Sequence, residues 1–174
     1  MVKRKENTSM ENNANFECMK RELWSLCHRT SALTAGYIDT VLTKKAGITY
    51  QQFLVLAILD YKDNTGTVGS IADAIGRTQN TLSVIIDRME KNGLVIKSRN
   101  MSDRRLVKVA MTNKGKQKLT ETEKIGWGLV AEFVSPFSED ETKLMVQLIG
   151  RLEKSTREKI AAWRLADKTK QTRL

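Results

Sequence analysis

The chain has 174 residues, 40% of them hydrophobic and 29% charged, with a formal net charge of +10 and a pI near 9.7. That length suffices for one domain with a sizeable core, and the longest apolar run, Phe53 to Leu59, is far too short to span a bilayer. The positive excess favours a polyanionic partner, nucleic acid above all.

A single proline and many straight-chain residues predict a mainly helical fold. Residues 1–15 hold Asn, Glu and Lys but no apolar segment, so they predict a flexible arm and not a secretory leader. From about Phe16 to Lys44 a long helix is expected. Met19, Leu23, Leu26, Thr30, Leu33, Tyr37 and Val41 recur there at spacings of three and four, a narrow stripe suited to a helix–helix seam. Thr49 with Gln52 makes a capping box for a helix from Tyr50 to about Tyr61, apolar nearly all round and therefore central.

"KDNTGTVGS" predicts a turn. A short helix follows over "SIADAIG", Ser70 to Gly76, with Ile71, Ala72 and Ile75 on one face. Thr78 caps the next helix, Gln79 to about Asn92, whose inner face is Leu82, Ile85, Ile86 and Met89, and Gly93 stops it. "LVIKS" and "LVKVAM" are β-rich and predict a hairpin. Thr112 caps a further helix to about Phe133, and Pro136 breaks the chain. Ser138 with Glu141 then caps a last helix, which carries Leu144, Met145, Leu148, Ile149 and Leu152 inward before a basic tail.

Two short helices joined by a tight Gly-containing turn, then a hairpin, make a winged helix-turn-helix over residues 48–115. A helix that enters a major groove needs a polar outer face of modest bulk. Here that face holds Gln79, Asn80, Ser83, Val84 and Asp87, with Arg77 and Thr78 at its entrance. Gln and Asn can bond adenine in bidentate fashion, and Val84 can meet a thymine methyl. The same face would also serve as ordinary solvated surface; charge separates the two readings. From Gly66 to Gly115 nine cations, Arg88, Arg99, Arg104 and Arg105 among them, outnumber four acids, a net +5. From Arg151 onward the tail carries another +5, which reads mainly as solvation of the outer face.

Catalytic and metal chemistry find little support. His28 is the only histidine, and Cys18 and Cys27 stand nine apart, a spacing that fits neither a metal motif nor a disulfide framework. No nucleophile–base–orienter set is present, so no enzyme, metal or cofactor is expected, and the thiols fit a reducing cytoplasm. Cys27 as a redox sensor would need an electropositive, accessible setting, and burial or incidental placement is the simpler reading. Trp24, Trp127 and Trp163 read first as packing residues.

Ser70 to Gly115 resembles the multiple-antibiotic-resistance regulator (MarR) family. The residues that carry the resemblance are Ile71-Ala72, then "DRMEKNGLV" from Asp87 to Val95, then Asp103 and Arg105, then Met111-Thr112 with Gly115. The helix layout extends it from about Phe16 to Trp163. The resemblance implies a mainly α fold with a small β-hairpin wing, in which helices at residues 16–47 and 116–165 build a homodimer base and 166–174 form a tail. It implies a cytoplasmic repressor that binds double-stranded DNA at a pseudo-palindromic operator and is released by a small aromatic or phenolic effector, with no membrane partner. On this reading Gln79, Asn80, Ser83 and Val84 face bases. Arg77, Arg88, Arg99 and Arg104 hold phosphates or the minor groove, and Arg105 is the wing arginine, bonded by Asp103. Trp24, Tyr37, Tyr50 and Phe53 are the candidate effector contacts. Arg77 and Val84 depart from the family pattern, which is usually apolar at the first position and often basic at the second. The contending readings are a winged protein-interaction module and a nonspecific architectural DNA-binding protein.

Overall fold

The computed structural model describes the backbone of residues 2–99 and 107–171, and the side chains of residues 15–98 and 107–167. Its elements run α1 (Val2–Ala46), α2 (Tyr50–Tyr61), β1 (Thr65–Thr67), α3 (Val68–Ala74), α4 (Gln79–Lys91), β2 (Val95–Arg99), β3 (Val107–Met111), α5 (Asn113–Val134) and α6 (Glu139–Gln171). Two units are distinguished, Met1–Gly128 and Leu129–Leu174.

In the first unit the core forms around α2. Phe53, Val55, Leu56 and Leu59 are buried there, with Ile38, Leu42 and Ile48 from α1 and the turn after it. Ile71 and Ala72 of α3, Leu82, Ile86 and Met89 of α4, and Leu94, Val95, Val109 and Met111 at the sheet complete it. Helix α2 starts where the Thr49–Gln52 box places it, with Gln52 N–H donating to Thr49 Oγ1 at 3.2 Å and Thr49 N–H to Gln52 Oε1 at 2.9 Å. The sheet is antiparallel in the order β1-β3-β2, with Gly66 and Lys97 flanking Val109 on either side.

Four expectations are corrected. Helix α1 begins at Val2, so residues 2–15 continue the helix where a flexible arm was expected; no Gly or Pro interrupts residues 2–35. The "KDNTGTVGS" turn contains strand β1, which pairs with β3 after Asp63 and Asn64 turn the chain at positive φ. Helix α3 begins at Val68 because Thr67 is its N-cap and Ser70 the third residue of a capping box. Finally, Leu144, Leu148, Ile149 and Leu152 are exposed in the chain taken alone. The second unit contains only the end of α5 and α6, so it has no further layer to cover them. Met19, Leu23, Leu26 and Leu33 of α1 are likewise exposed.

Helix α5 approaches α2 closely at a glycine. A Cβ on Gly126 would lie 2.7 Å from Phe53 Cζ, and Phe53 is only 1% exposed. Gly126→Ala is therefore expected to destabilise the fold by about 1–3 kcal/mol through overpacking. Urea unfolding measures this, and an unchanged midpoint would show that the ring can give way.

Candidate nucleic-acid interface

The reading helix is held by its ends and its inner face. Thr78, in extended conformation, accepts Thr81 N–H at 3.2 Å as N-cap. Gly93 at φ +71° terminates the helix, a conformation that favours glycine. Leu82, Ile86 and Met89 are fully buried, while Arg77, Thr78, Gln79, Asn80, Ser83, Val84, Asp87 and Arg88 are all exposed. Sequence and structure thus agree on which side of α4 faces out. Val84 is 51% exposed, an apolar side chain on the outward face of the helix.

Ser83 and Gln79 of this face have local neighbours. Ser83 Oγ donates to Gln79 O at 2.9 Å, which leaves its lone pairs to accept. The Gln79 amide lies over the start of α3, where a Cβ on Gly69 would stand 3.0 Å from Gln79 Nε2. Gly69 was not anticipated from sequence. Its signal was present, a glycine inside a short helix, but its neighbour emerges only when α3 and α4 are packed.

The wing joins α4 through one lysine. Lys97 Nζ lies 2.6 Å from Asp87 Oδ1 and 2.9 Å from Glu90 Oε2, and Lys97 N–H donates to Glu90 Oε1 at 2.9 Å. These groups line a cleft of about 320 Å³ between α4 and the wing, floored by Val68, Ile86 and Val107. The Lys97 side-chain hydrogen bond holds the Glu90 carboxyl below the usual carboxylate range. Hydrogen bonds to Asp87 and then Glu90 hold the Lys97 ammonium above its ordinary range. A depressed acid stabilises above its unfolded value and fails as pH falls through its folded one. A raised lysine stabilises below its unfolded value and fails as pH rises through its folded one. The Glu90–Lys97 pair is therefore fully charged from mildly acidic pH up to the ordinary lysine range.

Arg77, Arg88, Lys91 and Lys108 are exposed and form no salt bridge among the described residues. The wing-tip candidates Asp103, Arg104 and Arg105, and the side chain of Arg99, lie outside the described residues.

The aromatic candidates separate. Tyr50 and Phe53 stack with ring centroids 6.4 Å apart, and Phe53 meets Trp127 edge-on at 5.6 Å. Burial raises the Tyr50 hydroxyl pKa, and Tyr50 N–H donates to Asp39 Oδ1 at 2.7 Å. Phe53 is a core residue; Trp24 and Tyr37 are exposed on α1. Cys18 is exposed and Cys27 half-buried, both as free thiols. Among the described residues no group of three His, Cys, Asp or Glu side chains could hold a metal, and no helix is long and apolar enough to cross a membrane.

The MarR family model matches residues 48–107. The organic hydroperoxide resistance transcriptional regulator of Bacillus subtilis (strain 168) is 31% identical over 107 residues, 61% of this chain and 71% of that protein. A MarR family transcriptional regulator from Streptomyces coelicolor, solved in complex with DNA, superposes with a TM-score of 0.71 at 20% identity, covering 78% of this chain and 86% of that one. BpsR of Bordetella bronchiseptica, solved in work on the regulation of its DNA binding by 6-hydroxynicotinic acid, gives 0.68 at 20% identity, covering 76% and 98%.

Proposed function

The chain belongs to the MarR family of DNA-binding transcriptional regulators, and from that premise we propose that it is a homodimeric, cytoplasmic repressor of a pseudo-palindromic operator, released by a small aromatic acid or phenol. The observation that carries this reading is the face of α4. Gln79, Asn80, Ser83 and Val84 are presented outward from a helix whose opposite side is locked into the core. Gln79 and Asn80 read adenine edges, Ser83 accepts from a base or a phosphate-bound water, and Val84 packs on a thymine methyl. Thr78 opens the helix toward the backbone. Arg77 and Arg88 flank this face and hold phosphates. Arg99 and Arg104 extend the contacts along the wing, and Arg105, tied by Asp103, enters a narrow minor groove.

Exposed apolar side chains on α1 and α6 support assembly of two copies, since monomers rarely leave such stripes uncovered. Two copies place two reading helices on successive grooves. The stacked pair Tyr50–Phe53 with Trp127 gives an aromatic wall at the α2–α5 junction, where half-buried Tyr50 and exposed Trp127 are the members open enough to meet an effector. Trp24 and Tyr37 would join it from α1.

Selection on random duplex libraries, followed by a salt titration of the enriched site, tests the reading. A reader of sequence prefers its site to random duplex by roughly a thousandfold or more and loses affinity steeply with salt. A steep slope without enrichment would point to architectural binding, and no binding to a protein-interaction module.

A further inference from the structure

We infer that Lys97, although part of the basic wing, is a positioning residue that clamps the wing to the reading helix and masks its carboxylates, and does not itself ligate phosphate. The inference rests on the DNA-binding reading above. Asp87 and Glu90 stand three apart on α4 and so project from one side of the helix. A single ammonium spans both, at 2.6 and 2.9 Å. Glu90 also grips the main chain, since its Oε1 accepts Lys97 N–H at 2.9 Å. Strand β2 is an edge of the sheet, and that bond satisfies an outward N–H that an edge strand otherwise leaves unpaired. Side chain and backbone of one residue are thus held by two acids of the reading helix at the root of the wing.

This arrangement has two consequences for DNA. The spacing between α4 and the wing is set at β2, before the chain reaches the wing tip. The two carboxylates beside the reading face are also partly neutralised, where bare they would repel phosphate. Arg77, Arg88, Lys91 and Lys108, with no such partners among the described residues, remain for the DNA backbone.

The test is a cycle of variants in the full chain, read on the selected operator. Lys97→Met should weaken binding about tenfold, the scale of coupling within one ion-pair network. In an Asp87→Asn, Glu90→Gln background the same substitution should change affinity less than about twofold. Lys97→Arg should retain most of the affinity. Equal loss in both backgrounds, with a log–log salt slope lowered by about one, would make Lys97 a phosphate ligand and overturn the inference; so would no loss in either. A second arm needs no DNA. Glu90→Ala should accelerate hydrogen exchange at the Lys97 amide while the α4 amides keep their protection, and unchanged exchange there would remove the clamp. If the wild type enriched no duplex, the functional reading would fail, and the exchange arm would still decide whether the clamp exists.

Discussion

Gly115→Ala is expected to destabilise the fold by roughly 3 kcal/mol, because the new methyl has nowhere to go. Gly115 lies in the first turn of α5, where its N–H donates to the capping Thr112 Oγ1 at 3.0 Å. A Cβ there would collide with the Leu94 carbonyl oxygen and lie 2.8 Å from Met111 Cγ. The carbonyl cannot retreat freely. It accepts Thr112 N–H at 3.1 Å and the Thr112 hydroxyl at 3.1 Å, and Leu94 is 3% exposed. Moving it would break the junction that ties the end of α4, the wing and α5 together. Lys114→Ala, one position earlier and exposed, should stay within about 0.5 kcal/mol of wild type. Urea unfolding of the two variants is the measurement. Equal midpoints would mean that the junction opens more easily than its hydrogen bonds suggest.

The same junction shows what was legible in the sequence and why. Thr112 and Gly115 belong to the resemblance as a motif, and their physical reason appears only when Leu94 is brought against them. Caps were legible because their bonds close within four residues: Thr49 with Gln52, and Thr78 with Thr81, stand where the pattern puts them. Strand β1 was not. Three residues carry no alternation, and β1 exists because Gly66 pairs with the distant Val109. That pairing also decides between Thr67 and Ser70 as the start of α3, two residues that local chemistry ranks alike. Periodicity marked the apolar stripes of α1 and α6 but could not say what covers them. Charge counting includes Lys97 only as one of nine cations, since a net charge cannot reveal that this one folds back onto Asp87 and Glu90.

The base-reading assignment makes the other large prediction, and it separates two kinds of loss. Asn80→Ala and Gln79→Ala should each reduce preference for the selected operator by about 1–3 kcal/mol, with the salt slope unchanged. Arg88→Ala should instead weaken selected and random duplex alike and lower the slope by about one. The reason is division of labour. Amides specify an edge pattern but carry no charge, whereas a guanidinium on phosphate binds every sequence. Gly69→Ala sharpens the test without substituting any residue of the reading face. Its Cβ would stand 3.0 Å from Gln79 Nε2, and the flexible amide can swing aside, so the fold should persist while preference shifts at the base Gln79 reads. Competition binding against single-base operator variants measures this. If Gln79→Ala and Asn80→Ala lowered affinity for random duplex as much as for the selected site, the exposed face of α4 would be a backbone contact, and sequence preference would have to come from the wing.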